Sequence, residues 1–271
     1  MSLETLLLDK HEGVATITLN RPAARNAFNL AMAMELRDLW KQLDADGEVV
    51  CIVVTGAGEK AFCSGMDVAD VASGDSSEQA DRVERETGKP FYLYLTAIHN
   101  NVWKPVVTAV NGMVVGGGFH FLADTDITVC AEHATFFDAH VKVGLVSGYE
   151  SVGLARRLPR EHVLRLALLG GSERMNAQQA LEIGLVSEVL PSERVLPRAQ
   201  ELAAMMAAHS PTALARTKRA IWQSLDTGLH EGLENAHEIV KSHTPHPDFS
   251  EGSQAFMEKR KPRWTPYTGE K

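Results

Sequence analysis

Pro105-Val106-Val107-Thr108-Ala109-Val110-Asn111-Gly112-Met113-Val114-Val115-Gly116-Gly117-Gly118-Phe119-His120 is the stretch whose reading decides the fold. Val106 to Val110 is a β-branched apolar run of strand length, and its lack of polar alternation suits a buried strand. Asn111-Gly112 turns the chain, and three glycines then precede Phe119-His120-Phe121-Leu122-Ala123, which can open a helix. A strand, a turn, a glycine loop and a helix N-terminus together make an anion cradle. Glycine lets a ligand approach the backbone, and the free N–H groups of a first helical turn carry partial positive charge. The stretch lacks the Gly-Lys-Ser/Thr ending of a phosphate loop and the Gly-x-Gly-x-x-Gly spacing of a dinucleotide site. Taken alone, the triplet also fits a tight turn under a closely packed helix.

Upstream of this stretch, residues 3–8 and 14–19 read as a hairpin around His11-Glu12-Gly13. Asn29 can cap a helix from Leu30 to Leu43, and 49–56 is a second continuous apolar strand. Ala61-Phe62-Cys63-Ser64-Gly65-Met66-Asp67 reads as a loop of small residues, Ser73 to Gly88 as a polar surface segment, and Phe91 to Val102 as a helix. Downstream, Ile127 to Ala131 and Thr135 to Phe137 are strands, so strands alternate with helices and the class is α/β. From Ser151 onward the pattern is helical, with a strand-like interruption at 185–190. The expected division is a core at 1–195 and a C-terminal helical region at 196–271.

Composition narrows the function classes. Of 271 residues, 44% are hydrophobic and 23% charged, which is ordinary for a globular chain able to bury a full core. A net charge of -8, with no basic run before the last dozen residues, argues against nucleic acid as the partner, so an anionic ligand needs a local basic patch. Cys51, Cys63 and Cys130 have no metal-ligand spacing and read as reduced, buried thiols. With no apolar run of membrane-spanning length and no basic or Arg-rich leader at Met1-Ser2-Leu3-Glu4, a cytoplasmic protein is expected.

Several motifs occurring in order over the whole chain carry a resemblance. They are Asn20-Arg21-Pro22 with Arg25-Asn26-Ala27, the Ala61 to Asp67 loop, Val110-Asn111-Gly112 followed by the glycine triplet, Asp126-Ile127, Gly184-Leu185-Val186, and Phe256-Met257-Glu258-Lys259-Arg260-Lys261-Pro262. In this combination the chain resembles the enoyl-CoA hydratase/isomerase (crotonase) superfamily. The resemblance implies a spiral of ββα units, a C-terminal helical trimerisation region, and a homotrimer or a hexamer built as a dimer of trimers. It also implies an acyl-CoA thioester substrate, with coenzyme A arriving as part of the substrate and no metal or separate cofactor. Two backbone N–H groups would hold the thioester oxygen as it becomes an enolate, and by motif position these are Ser64 and Gly117. Coenzyme A would lie along Arg25, Ala27, Ser64, Gly65, Met66, Asp67 and Gly117, with Phe256 and Lys259 coming from a neighbouring subunit. The plain alternative for Lys259 is a solvated helix-end charge.

The sequence departs from the resemblance where hydratases carry two catalytic glutamates. His120 occupies the first position and His140 the second. Histidine can still move protons, since its ordinary pKa of about 6.5 lies near operating pH. Two imidazoles form a less negative water site than two carboxylates, which favours activating water against a carbonyl or removing an α-proton. Glu150, Tyr149 and Asp138 are candidate helpers, although Glu150 also suits a helix cap and Asp138 a turn. The expected function is therefore an acyl-CoA enzyme of the hydratase/isomerase type. A hydrolase cleaving a carbon-carbon bond of a β-keto substrate and a non-catalytic acyl-CoA binder are the alternatives.

Overall fold

Three long apolar strands are each followed within a few residues by a second, shorter one, and this doubling sets the architecture. The computed structural model describes residues 3–67 and 75–270. Its strands are β1 (Leu6–His11), β2 (Val14–Leu19), β3 (Cys51–Gly56), β4 (Ala61–Cys63), β5 (Val106–Val110), β6 (Met113–Val115), β7 (Ile127–Ala131), β8 (Thr135–Phe137), β9 (Met175–Asn176) and β10 (Glu188–Leu190). The main sheet has the order β1-β2-β3-β5-β7-β10 and the second sheet the order β4-β6-β8-β9. The chain therefore crosses from the main sheet to the second sheet after β3, after β5 and again after β7. β1 and β2 pair antiparallel as the expected hairpin, and the rest of the main sheet is parallel. Gly112 sits at one crossing, where a Cβ would lie 2.8 Å from the carbonyl carbon of Lys60, so the turn into β6 admits no side chain.

Every residue of β5 is buried because both faces of the main sheet are covered. On one face lies α1 (Leu30–Ala45), capped by the Asn29 side chain, with Met32, Leu36, Leu39, Trp40 and Leu43 turned inward. The other face receives α7 (Ser192–Ala207) through Val195, Ala199 and Ala203, whose spacing puts a small-residue stripe against Val53, Val107 and Val129. α7 thus runs through residue 195, where a boundary was expected, and belongs with the sheet. The remaining helices are α2 (Asp75–Thr87), α3 (His120–Ala123), α4 (Tyr149–Ala155), α5 (Arg160–Leu168), α6 (Ala177–Glu182), α8 (Pro211–Ser224), α9 (Leu229–His243) and α10 (Pro247–Met257). No described helix is long and apolar enough to cross a membrane.

Two local expectations are corrected. Ala61 to Cys63 is a strand rather than a loop, because Ala61 and Cys63 pair with Met113 and Val114 of β6. The helix expected from Phe91 to Val102 is instead two 3-10 turns, Phe91–Leu95 and Ile98–Asn100. Between them, groups a helix would use are spent elsewhere: Leu95 C=O accepts from Trp40 Nε1 at 3.2 Å, and Asn100 Nδ2 donates to the carbonyls of Tyr94 and Thr96. Met1, Ser2, Ser73 and Gly74, which begin the expected N-terminal and polar surface segments, lie outside the described residues.

Asp126, just before β7, fastens α8 to β5. Its Oδ2 accepts from Val106 N–H at 2.7 Å and pairs with Lys218 Nζ at 2.8 Å, while Oδ1 accepts from Trp222 Nε1 at 2.8 Å. Lys218 Nζ also donates to Lys104 C=O at 3.0 Å. The buried Lys104 ammonium in turn caps the C-terminus of α1 through Leu43 C=O and Asp46 C=O, although burial pulls its pKa down to about 8. Removing one partner of such a pair leaves the others buried and unpaired. Asp126→Ala is expected to lower the unfolding free energy by about 3 kcal/mol in denaturant titration, and a loss below about 0.5 kcal/mol contradicts this role.

Candidate active site

The site is built where the loop after β4 lies against the glycine loop after β6. A tight turn at Arg25 and Asn26, with φ of +54° and +55°, starts the arrangement. Asn26 is fully buried, and its Nδ2 donates to Ala57 C=O at 3.0 Å and Ala61 C=O at 2.9 Å. Arg21 ties the same turn down through Ala27 C=O at 2.6 Å and Asp67 Oδ2 at 2.8 Å. Phe28 then pairs with Met66 in a short parallel bridge: Phe28 N–H donates to Gly65 C=O and Asp67 N–H to Phe28 C=O, both at 2.9 Å. In such a bridge the N–H of Met66 points away from Phe28. Gly65 has φ +88°, and a Cβ there would lie 2.8 Å from Val115 C=O and 3.2 Å from Gly117 N. Only glycine permits this approach, which brings the backbone of 65–66 beside the N–H of Gly117. The 3-10 turn Gly116–Phe119 begins one residue earlier, so Gly117 N–H has no acceptor inside that turn.

This geometry corrects one expectation. Ser64 N–H is spent on Arg25 C=O at 3.2 Å, and its hydroxyl donates to Ala24 C=O at 3.3 Å, so Ser64 is not a free donor facing Gly117. The reason is the Phe28–Met66 pairing, which turns residues 64 and 66 to different neighbours. Asp67, expected along coenzyme A, holds Arg21. Arg25 is exposed on its turn, Ala27 is buried, and Phe256 (85% exposed) and Lys259 lie at the far end of α10. No described hydrogen bond or ion pair joins Phe256 or Lys259 to the histidines.

His120 opens α3 and is 3% exposed. His140 lies over the glycine loop, since a Cβ on Gly116 would meet its Cε1 at 3.3 Å. The two imidazoles converge on one carboxylate. Glu150 Oε1 is 3.3 Å from His120 Nε2 and 3.8 Å from His140 Nε2, and a Cβ on Gly117 would lie 3.6 Å from it. The sequence left Glu150 open as a cap for a helix starting at Ser151. That helix starts at Tyr149, and the Glu150 side chain is turned inward at 7% exposure. Behind His140, Asp138 Oδ1 accepts from the ring Nδ1–H at 2.7 Å and from the His140 backbone N–H at 2.8 Å. Asp138 is therefore more than a turn residue. Tyr92 stacks on His120 with ring centroids 5.9 Å apart, and Tyr149 meets Tyr92 edge-on at 5.0 Å.

Electrostatics follow from these contacts. The Asp138 hydrogen bond raises the His140 pKa above its ordinary 6.5, with burial opposing and the Asp138 and Glu150 charges adding. Burial alone would raise Glu150, but His120, its own backbone N–H and His140 outweigh it and hold the carboxyl below its usual range. Asp138 is likewise held down, its burial outweighed by donors from His140 and Ser147. Neutral His140 thus keeps its proton on Nδ1 and presents a bare Nε2 towards Glu150. All three cysteine thiols are pushed up to about 12 by burial and are not nucleophiles.

The family model described as enoyl-CoA hydratase/isomerase matches residues 9–267. The chain belongs to this family. It is similar to a 2,3-dehydroadipyl-CoA hydratase from Escherichia coli strain K12, with 33% identity over 96% of this chain and 98% of that protein. It is also similar to a 1,2-epoxyphenylacetyl-CoA isomerase of the same strain, with 33% identity over 97% of this chain and 99% of that protein. Among solved structures, an enoyl-CoA hydratase/isomerase from Mycobacterium paratuberculosis is 41% identical over 97% of this chain and 99% of that one, with a TM-score of 0.85. The crotonase spiral expected from the motifs is thus the fold of this chain. The structure brings the two expected histidines, His120 and His140, together; Met66, expected along coenzyme A, is the residue whose N–H is left free by the Phe28 pairing, and the contacts of Tyr92 with His120 and of Ser147 with Asp138 had no signal in the sequence. The Asp138-x-His140 spacing was the available signal for a carboxylate backing an imidazole.

The sign of the His140 shift gives a direct test. A raised pKa means the ring keeps its proton to a higher pH than free histidine. In a histidine-resolved NMR titration its midpoint is expected above 6.5, and Asp138→Asn is expected to move it down by removing the charge. A midpoint unmoved by Asp138→Asn contradicts the dyad.

Proposed function

We propose that this chain acts on a coenzyme A thioester of an α,β-unsaturated acid, adding water to the double bond or removing it through an enolate. The observation that carries the reading is the convergence of two imidazole Nε2 atoms on Glu150 Oε1 beside Gly117. In this reading the N–H groups of Gly117 and Met66 receive the thioester oxygen, each donor contributing on the order of 3 kcal/mol as the oxyanion forms. Drawing the carbonyl there makes the β-carbon electrophilic. His140 takes a proton from water at its bare Nε2, and the oxygen bonds to the β-carbon. His120, entering this step as the imidazolium beside the Glu150 carboxylate, then gives its Nε2–H to the α-carbon of the enolate and is left neutral. Glu150 lies between the two rings and returns the proton from His140 to His120, so water is added and both rings end as they began. The same carboxylate offsets the loss of negative charge that two histidines bring in place of two glutamates. That relatives are named both hydratase and isomerase fits an enolate common to the two reactions.

A second reading is favoured by the 2.7 Å Asp138–His140 contact, which suits an imidazole activating water against a carbonyl. It is the hydrolytic cleavage of a β-keto acyl substrate. Incubation with enoyl- and β-ketoacyl-CoA thioesters in oxygen-18 water separates these readings. Label in 3-hydroxyacyl-CoA is expected; label in a carboxylate supports hydrolysis; binding with no turnover on any thioester supports a non-catalytic binder. His140→Gln is expected to lower kcat by roughly 10²- to 10⁴-fold, and retention of full rate contradicts its role as base.

In the same reading coenzyme A lies along Arg25, Ala27 and Gly65 to Asp67, and Phe256 and Lys259 reach it from another copy of a trimer or a dimer of trimers. Val146, Leu229 and Phe256 are 88%, 81% and 85% exposed in one chain, which suits burial between copies. Lys259→Ala is expected to raise KM several-fold with a much smaller change in kcat, as removal of uniform binding does. An unchanged KM assigns Lys259 to the solvated surface.

A further inference from the structure

The same turn of helix grips His140 from both ends. On the Nε2 side stands Glu150 of α4. On the Nδ1 side Asp138, 2% exposed, has a second oxygen that accepts from Ser147 Oγ at 2.5 Å. Ser147 Oγ lies 2.7 Å from Ser151 Oγ, and Ser151 is the residue after Glu150 in α4. An ionised carboxylate only accepts, and a hydroxyl has one proton to give. Ser147 therefore donates to Asp138, and Ser151 must donate to Ser147. The result is a directed chain of donors from α4 through Ser147 to the carboxylate that also receives His140 Nδ1–H.

We propose that Ser147 and Ser151 are positioning residues: through Asp138 they fix the His140 ring with its proton on Nδ1 and restrain how tightly its Nε2 holds a second proton. The physical reason is that a carboxylate shared among several donors has less charge left for the imidazolium, and a donor chain polarises each of its members. The charged groups facing His140 are Asp138 from its own turn and Glu150 from α4, with His120 of α3 behind Glu150. Both carboxylates favour the protonated ring. The serine pair acts in the opposite sense and keeps the bare Nε2 available to a substrate. This deepens the functional reading above and rests on His140 being its base.

The test is the NMR titration of His140 in the full-length protein, which needs no turnover. Ser147→Ala is expected to raise the midpoint by about half a pH unit or more, opposite in sign to Asp138→Asn, because Asp138 loses a donor and keeps its charge. Ser147→Thr keeps the hydroxyl and is expected to restore the wild-type midpoint, while Ser151→Ala raises it by less than Ser147→Ala does. In any active preparation the acid limb of kcat/KM moves by the same amount. An unchanged or lowered midpoint in Ser147→Ala overturns the proposal, as does a Ser147→Thr midpoint equal to that of Ser147→Ala. Should Ser147→Ala not fold, Ser151→Ala decides alone, a rise supporting the proposal and no rise overturning it. Absence of turnover in wild type would sink the functional reading and leave this result standing.

Discussion

The site depends on a backbone contact that only glycine permits: Gly65 lies so close to Val115 C=O and Gly117 N that a Cβ would fall at 2.8 and 3.2 Å. That contact joins the ends of β4 and β6, neighbours in the second sheet, and aims two peptide segments at one point. Everything chemical is arranged around it. Asn26 and Arg21 hold the first segment through buried hydrogen bonds, and the burial of β5 on both faces holds the second. In the proposed reading the donors are main-chain groups fixed by sheet pairing, which need no reorganisation when charge develops on a ligand.

In the proposed reading the two histidines take the places of catalytic glutamates, and Glu150, between them, supplies the negative charge. An imidazole needs a partner on its far nitrogen to be a defined base, and Asp138 supplies it from two residues away. The helix α4 then connects both ends of this system, Glu150 on one side and Ser151 on the other. A small displacement of α4 would alter both ends of His140 together, which couples the imidazole to the packing of Leu154 and of α3 beneath it.

Much of this was legible in the sequence because it is local. The β-branched run Val106 to Val110, the glycine triplet and His120 follow one another within a single stretch, and Asp138 and His140 share one turn. What was not legible depends on distant pairing. Whether Ser64 or Met66 offers its N–H is decided by Phe28, which selects Gly65 and Asp67 as its partners and turns Met66 outward. The 3-10 turns at Phe91–Leu95 and Ile98–Asn100 likewise arise because Trp40 claims Leu95 C=O from another helix. Glu150 could not be told from a cap until the helix start was fixed at Tyr149, since a shift of two residues rotates a helical side chain by about 200°.

In the proposed reading a thioester enolate forms at this site, and His120 and His140 move its protons. Exchange of the α-hydrogens of a saturated acyl-CoA with solvent deuterium, followed by mass spectrometry, tests this without assuming which product the enzyme makes. Exchange is expected in the wild-type protein, and its loss in the His120→Gln, His140→Gln double variant. Exchange that persists undiminished in the double variant, or tight thioester binding with no exchange in the wild type, would contradict that reading.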